Sequence, residues 1–316
     1  MKGLELARRF WESCGAPVLE RDFPDLLPKI AVGLCGSGSE CFGYDDEVSR
    51  DHDFEPGFCL FLPGEDEVDR RTAFLLERAY AALPKEFGGF TRERMSPVGG
   101  NRHGVIRAAD FFLSKCGSPD GELSLYEWLR VPESALAEAV NGEIFRDDGG
   151  AFTHVREKLA AMPEDIVKKR LAGQLVRLKQ AGPYNYPRAL AHGETAAAQL
   201  SAVEFTDAAM RAVFLLNRRY MPYYKWSFRA LRELETLSPL ADSFEYLLCS
   251  DNGEDAAKTK LAVIGDICAL LAAEVRRQGF ADPTSTADDD PEALGYAVNA
   301  GIRDGEVRAL HIFAGV

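Results

Sequence analysis

The chain has 316 residues, of which 46% are hydrophobic and 28% are charged, and its formal net charge is −13 from 37 Lys and Arg against 50 Asp and Glu. This length predicts about two domains, and the composition excludes a largely disordered chain. The acidic balance argues against a protein that mainly grips a nucleic-acid backbone, because phosphate contacts need a basic surface. A local basic pocket for one nucleotide remains compatible with it.

The sequence shows no feature of an exported or membrane protein. No apolar run reaches about 18 residues, which a transmembrane helix needs, and charges of both signs between Lys2 and Arg9 argue against a signal peptide. The seven cysteines form no Cys-x-x-Cys pair, and no His-x3–5-His pair exists. We therefore expect a cytoplasmic protein with free thiols, and neither a zinc site nor a disulfide framework.

Short apolar runs closed by glycine or proline alternate with helical patterns in the first third of the chain. In chain order they predict a helix at 3–14, a strand at 30–35, a strand at 57–62, a helix at 65–83 and a strand at 105–113. Strands that alternate with helices in this way are typical of an α/β or α+β domain.

From about residue 120 onward the pattern is helical. Pro163 opens a predicted helix that Gly182-Pro183 ends, and Thr206 caps a second one that runs to Tyr220. Further helical patterns cover 223–237 and a long segment that ends at Gly279, and the acidic stretch 282–292 is expected to be a solvated loop. The second half is therefore predicted to be a helical bundle.

A turn of glycine and serine, Gly36-Ser37-Gly38-Ser39, follows the first predicted strand, and Asp51 and Asp53 stand two residues apart further on. Such a turn exposes backbone N–H groups, which attract phosphate oxygens. On an extended segment the two aspartates project from the same side, and their mutual repulsion is relieved by a cation such as Mg²⁺. The pattern therefore favours phosphoryl or nucleotidyl transfer.

These phrases resemble one known family. Gly38-Ser39-x-x-x-Gly43 followed by Ser49-Arg50-Asp51-His52-Asp53 resembles the signature of the DNA polymerase β-type nucleotidyltransferase superfamily, with one extra residue before the first Asp. Three later phrases resemble its bacterial DUF4037 branch, a relative of the aminoglycoside nucleotidyltransferases: Asn185-Tyr186-Pro187-Arg188-Ala189, Leu215-Leu216-Asn217-Arg218-Arg219-Tyr220 and Pro222-Tyr223-Tyr224-Lys225-Trp226. The resemblance implies an α+β fold, with a nucleotidyltransferase-type mixed sheet and its helices at 1–130 and a helical domain for substrate and nucleotide at 131–316.

The resemblance also implies roles for individual residues. Ser39 and the Gly38 backbone would hold the β- and γ-phosphates of an NTP, and Asp51 and Asp53 would bind Mg²⁺. A third carboxylate normally completes the metal site or acts as general base. Asp110, on the predicted strand 105–113, is the first choice for it; the rivals are Glu127 and Glu122, and His103 could be a base without binding metal.

A basic stripe follows the last phrase. Lys225, Arg229 and Arg232 are spaced four and three residues apart and share one helix face. The stripe is either a solvated surface or a triphosphate clamp in which Lys225, with Tyr223 and the neighbouring aromatic residues, contacts the nucleotide.

Other charged and thiol groups have simpler readings. Asp45-Asp46-Glu47 is expected to be a solvated loop, Lys168-Lys169-Arg170 the polar face of a helix, and Cys35 and Cys41 packing residues. His52 is expected to be a structural histidine on the side of the strand opposite the two aspartates.

The sequence thus predicts a Mg²⁺-dependent nucleotidyltransferase that moves a nucleoside monophosphate, AMP from ATP in the first instance, to an acceptor hydroxyl and releases pyrophosphate. The alternatives are a nucleotide-binding regulatory or toxin–antitoxin-like module without turnover, and an AMPylating enzyme whose acceptor is a protein. The expected partners are the nucleotide and a small-molecule acceptor, with no nucleic acid and no membrane; a homodimer stays open.

Overall fold

The computed structural model describes residues 1–48, 54–92, 102–281 and 290–316. The chain is a mixed α+β protein that divides into two compact units, one formed by Met1–Glu122 with Val131–Ala161 and the other by Leu123–Arg130 with Met162–Val316. In the described parts of the chain, the strands belong to the first unit.

The first unit contains a four-stranded sheet and a short hairpin. Its helices are α1 (Gly3–Phe10), α2 (Ala16–Asp22), α3 (Arg70–Ala81), α4 (Ala108–Cys116), α6 (Glu133–Val140) and α7 (Ala151–Ala160). The sheet has the order β5-β2-β1-β6, formed by β1 (Ala31–Leu34), β2 (Cys59–Leu62), β5 (Gly104–Arg107) and β6 (Glu143–Asp147). The hairpin pairs β3 (Glu86–Phe87) with β4 (Phe90–Thr91).

Strand directions bring four chain segments to one edge of the sheet. Strand β1 is antiparallel to β2 and to β6, while β2 and β5 are parallel. Gly33 pairs with Cys59, Cys59 with Gly104, and Leu34 with Glu143. The carboxyl end of β1 and the amino ends of β2, β5 and β6 therefore meet at the same edge.

Both faces of the sheet are covered, which explains why the central strands β1 and β2 are apolar and buried at every position. On one face Phe58, Leu60 and Leu62 pack in a core with Phe10 and Leu76 from the helices α1 and α3. On the other face Phe61 stacks on Phe152 of α7 with ring centroids 4.0 Å apart, and its ring also meets Phe111 of α4. Side chains alternate along β2 as a strand requires.

Three sequence predictions need correction in this unit. The predicted helix 3–14 continues through a π-helical turn at Trp11–Gly15 into α2. The predicted strand 105–113 is wrong, because the strand ends at Arg107 and helix α4 begins at Ala108. The predicted boundary at residue 130 also differs from the compact units, since β6 pairs with β1 and so carries Val131–Ala161 back to the first unit.

The second unit is helical. It contains α5 (Leu125–Arg130), α8 (Glu164–Lys179), α9 (Tyr186–Ala191), α10 (Thr195–Leu216), α11 (Tyr224–Arg232), α12 (Leu240–Cys249), α13 (Glu254–Arg277), α14 (Pro291–Ala300) and α15 (Gly305–Ala309). Helix α8 packs against α10 and α14, and its central residues are buried on all sides. The predicted helical character of this half and the end of α13 near Gly279 are confirmed.

Packing on all sides of α8 and α10 accounts for the errors here. Thr206 is a buried interior residue of α10 and not its cap. The chain remains helical through Gly182-Pro183, as a π-helical segment at Gln180–Asn185 leads into α9. Lys169 is fully buried, with Nζ donating to Asn299 Oδ1 and to the Leu310 carbonyl, so this part of α8 is not a solvated face. Residues 282–289 of the predicted loop 282–292 lie outside the described residues.

Within the described ranges, we find no helix that combines the length and the apolar character needed to cross a bilayer.

Candidate functional site at the end of strand β1

The glycine-rich loop after β1 is held in place by the side chain of Asn141, which lies between α6 and β6. Gly36 and Gly38 have φ values of 109° and 126°, a region open to glycine and strained for other residues. Asn141 Oδ1 accepts a hydrogen bond from the Gly36 N–H at 2.8 Å, and Asn141 Nδ2 donates to the Gly36 carbonyl at 2.8 Å. Arg156 in turn donates to the Val140 and Asn141 carbonyls. The loop therefore has a fixed backbone at its first glycine.

The second half of the loop is a short 3-10 turn. The Ser39 carbonyl accepts hydrogen bonds from the N–H groups of Phe42 and Tyr44, at 3.2 and 2.9 Å. Gly43 closes the turn in the left-handed region with φ 71°. The glycines of the Gly-Ser-x-x-x-Gly phrase thus stand where the backbone needs them, and Gly38 and Ser39 are both partly accessible.

A lysine and a glutamate that sequence reasoning missed contact this loop. Lys115, in the last turn of α4, donates from Nζ to Ser37 Oγ at 3.1 Å and to Glu138 Oε2 at 2.5 Å. Ser37 Oγ itself donates to Glu138 Oε2 at 2.8 Å. No local motif could reveal this contact, because Lys115 lies 78 residues and Glu138 lies 101 residues from Ser37 in sequence.

Glu40 places a buried carboxylate against the same loop. An ideal Cβ built on Gly38 would lie 2.5 Å from Glu40 Oε1, so the missing side chain of Gly38 leaves room for this group. Arg102 NH1 lies 4.0 Å from Glu40 Oε1, and this oxygen has no hydrogen-bond partner among the described residues. Burial raises the pKa of the Glu40 carboxyl, although His103 and Arg102 act in the opposite direction.

The neighbouring Asp45 has a structural role. Its carboxylate accepts a hydrogen bond from the Gly3 N–H at 3.0 Å and lies 3.9 Å from Lys2 Nζ. The favourable position of a carboxylate at a helix N-terminus explains the contact with the start of α1. Asp45 is only 1% exposed, so the prediction of a solvated loop is wrong at this residue.

His103 and Glu55 form a further pair at this sheet edge, just before β5 and β2. His103 Nδ1 lies 3.4 Å from Glu55 Oε1, and both side chains are largely buried. Gly57 makes space for the imidazole, since a Cβ there would lie 2.5 Å from His103 Nδ1. The cluster at the end of β1 therefore combines carboxylates, an imidazole and cationic side chains around one glycine-rich loop.

The predicted metal-binding residues are not part of this description. Asp51, Asp53 and His52 lie outside the described residues, as do Ser49 and Arg50. In the ranges that are described, we find no group of three or more His, Cys, Asp or Glu side chains arranged to hold a metal ion.

Asp110 lies on a helix and not on a strand, and both rival candidates for a third carboxylate, Glu127 and Glu122, have polar partners of their own. Asp110 is exposed in the first turn of α4. Helix α4 follows the carboxyl end of β5, whereas the amino end of β5 lies at the same edge as the loop. It is five residues before Lys115, which is about 7.5 Å along the helix axis. Glu127 accepts hydrogen bonds from the N–H and hydroxyl of Ser124, which lower its pKa, and Glu122 is ion-paired with Lys158.

The basic stripe on α11 is exposed and aromatic. Lys225 Nζ and the Arg229 guanidinium lie 5.0 and 5.6 Å from the centroid of the Trp226 ring, which confirms that they share a face. Tyr223 and Tyr224 are exposed, and their ring centroids are 4.2 Å apart. Arg232 is paired with Glu245. Binding of a nucleotide by Lys225 and Tyr223 stays a prediction.

The thiols around the loop are packing groups. Cys35 and Cys41 are buried, and all seven cysteines are unpaired. Burial raises the pKa of Cys35 to about 12 and that of Cys41 well above its usual range. Such thiols are poor nucleophiles, in agreement with the sequence prediction.

The segment that contains α6, β6 and the helices that follow matches a family model. Residues 128–227 match the family model described as Domain of unknown function (DUF4037). The DUF4037 region contains Glu138 and Asn141 beside the loop, and the Asn185–Ala189 and Pro222–Trp226 phrases. No curated protein and no solved structure matches the chain significantly.

Proposed function

We propose that the protein is a Mg²⁺-dependent nucleotidyltransferase that moves a nucleoside monophosphate from an NTP, ATP in the first instance, to a hydroxyl of a small molecule. The observation that carries the proposal is the fixed glycine-rich loop after β1, with Lys115 against it. In proteins, the backbone N–H groups of glycine-rich loops and cationic side chains bind phosphate oxygens. Phe54 and Glu55, which follow the Asp51/Asp53 pair in sequence, belong to the strand connection at the same sheet edge.

In the reaction, the acceptor oxygen would attack the α-phosphorus, the bond between the α-phosphorus and the bridging oxygen would break, and pyrophosphate would leave. The hydroxyl proton would pass to a base, and His103, at this edge of the sheet, is the proposed base. Gly38 and Ser39 would hold the β- and γ-phosphates. Positioning and neutralisation of charge supply most of the rate in reactions of this kind.

Mg²⁺ would be held by Asp51 and Asp53 and would neutralise charge on the phosphates. One observation among the described residues fits a cation here: Glu40 Oε1 is buried beside Gly38 without a hydrogen-bond partner. A buried carboxylate oxygen without a donor is unfavourable, and a cation would relieve this. Glu40 is therefore a second candidate for the third carboxylate, beside Asp110. The roles of Lys225 and Tyr223 in nucleotide binding also stay predictions.

The test is an assay of the purified chain with Mg²⁺, each radiolabelled NTP and a metabolite extract. The proposal predicts release of pyrophosphate together with a labelled small molecule, both lost when Mg²⁺ is chelated. A label on the protein itself would indicate an AMPylating enzyme, and tight NTP binding without any product would indicate a regulatory module. Absence of both NTP binding and product with every NTP would contradict the proposal.

A further inference from the structure

In the Lys115–Ser37–Glu138 group, the carboxylate of Glu138 is bound by two side-chain donors at the glycine-rich loop. One carboxylate oxygen, Glu138 Oε2, accepts hydrogen bonds from Lys115 Nζ at 2.5 Å and from Ser37 Oγ at 2.8 Å. Two donors that converge on one anionic oxygen form a charge-assisted arrangement of the kind that also binds phosphate. The Lys115 and Glu138 side chains are 16% and 23% exposed, so solutes can reach the pair.

The loop does not need Glu138 to keep its shape. Its backbone is fixed at Gly36 by the two hydrogen bonds of Asn141, and Phe111 packs next to Gly36 on the α4 side. Among the described residues, the hydrogen bonds of the Glu138 carboxylate come from the side chains of Lys115 and Ser37. It could therefore leave Lys115 and Ser37 without opening the backbone of the loop.

We propose that Lys115 and Ser37 form a phosphate-binding pair, and that Glu138 occupies this pair until a polyphosphate displaces its carboxylate. The identity of the polyphosphate as the tail of an NTP rests on the proposed function, whereas binding of the anion does not. Lys115 then exchanges one anionic oxygen for another, and Glu138 sets the affinity by competing for it. This gives the two residues opposite effects on binding, although they form one ion pair.

The experiment is a calorimetric titration with inorganic tripolyphosphate, without divalent metal, of the full chain and four variants. Glu138→Gln removes the competing charge and is expected to bind about tenfold more tightly, while Lys115→Gln is expected to bind at least about tenfold more weakly. The double variant should bind no more tightly than Lys115→Gln, because Glu138 acts through Lys115. Lys115→Arg should retain binding, since it keeps the positive charge.

Matched controls separate this effect from net charge. Lys158→Gln removes a positive charge, as Lys115→Gln does, from an ion pair elsewhere in the first unit. Glu204→Gln removes a negative charge, as Glu138→Gln does, from an ion pair with Arg177. Both are expected to leave tripolyphosphate affinity within about twofold of wild type, because exposed charges are screened by salt. Thermal unfolding of each variant reports on folding. The isosteric Glu138→Gln tests whether loss of the carboxylate charge strengthens or weakens tripolyphosphate binding.

A weaker affinity in both Glu138→Gln and Lys115→Gln would overturn the inference, since an ion pair that only stabilises the fold would act in one direction. Affinities equal to those of the controls, or no binding by wild type and Glu138→Gln, would overturn it as well. The transferase assay separates the two proposals. Transfer with an unchanged KM for NTP in Lys115→Gln would contradict this inference alone, while the expected tripolyphosphate pattern without any transfer would contradict the proposed function alone.

Discussion

Glu40 combines a buried carboxylate with a place at the candidate site. Its carboxylate is buried against Gly38, and Arg102 NH1 lies 4.0 Å from its Oε1. Loss of hydration raises the pKa of this carboxyl. The folded state therefore holds the Glu40 proton more tightly than the unfolded chain does.

This gives a pH-dependent prediction. Because the pKa of Glu40 is higher in the folded state, its ionisation lowers the free energy of unfolding as the pH rises from the unfolded pKa through the folded pKa. Glu40→Gln mimics the protonated form and removes this loss. The variant should therefore gain stability relative to wild type as the pH is raised from 4 to 8, measured by urea unfolding. A difference that is constant over this range would contradict the raised pKa.

The residues of the loop could be predicted from the sequence only where their meaning is local. Gly36, Gly38 and Ser39 were recognisable because glycine conformation and a Gly-Ser phrase are local properties. Lys115, Glu138 and Asn141 were not, because they reach the loop through helix and strand pairings between distant parts of the chain. Asp45 was misread for the same reason, since its partner Gly3 is 42 residues away.

At the scale of elements, the main error was helix α4. The segment 105–113 is apolar and short enough to read as one strand, but it contains the strand β5 up to Arg107 and then two alanines that begin a helix. Gly117, with φ 79°, ends α4 in the left-handed conformation and was the available signal for a helix C-terminus. Because this segment is a helix, Lys115 lies in its last turn, where it reaches Ser37, and Asp110 lies in its first turn.

Helix α13 contains a buried lysine whose hydrogen-bond acceptors among the described residues are neutral oxygens. Lys260 Nζ donates to Gln199 Oε1, to the Ser250 carbonyl and to Asn252 Oδ1, at 2.8, 2.8 and 3.0 Å. Burial lowers the pKa of Lys260. This ammonium group therefore links α13 to α10 and to the connection after α12.

Replacement of this lysine tests how much the network stabilises the second unit. Lys260→Met removes all three hydrogen bonds donated by Nζ, although Gln199 Oε1 and Asn252 Oδ1 keep donors in Asn252 Nδ2 and Tyr186 OH. It is expected to lower the free energy of unfolding by about 2–4 kcal/mol. Lys258→Met, two residues away on the same helix, breaks only an exposed ion pair with Glu254 and should change it by less than about 0.5 kcal/mol. Equal effects of the two variants in urea unfolding would contradict the structural role of Lys260.

At the scale of the whole molecule, the two-part α+β organisation could be predicted, but the boundary could not. Strand β6 pairs with β1 after α5 has joined the second unit, and a sequence that reads as helical from about residue 120 hides this return. A strand of only five residues, half-buried at each position, has no strong alternation to reveal it.

The position of β6 predicts how fragments behave. A fragment of residues 1–130 lacks β6 and Phe152, so β1 becomes an open edge and Phe61 loses its stacking partner. We expect this fragment to aggregate or remain without a cooperative thermal transition, whereas a fragment of residues 1–161 should unfold cooperatively, as followed by circular dichroism. Equal cooperativity in both would show that β6 is dispensable.

The most direct measurement of the central claim is a calorimetric titration of the full chain with ATP, with and without Mg²⁺, alongside the Asp51→Ala/Asp53→Ala double variant. We predict that wild type binds ATP more tightly when Mg²⁺ is present, and that the double variant, still folded by circular dichroism, loses this magnesium dependence. An unchanged magnesium-dependent affinity in the folded double variant would contradict the assignment of Asp51 and Asp53, and with it the proposed nucleotidyltransferase.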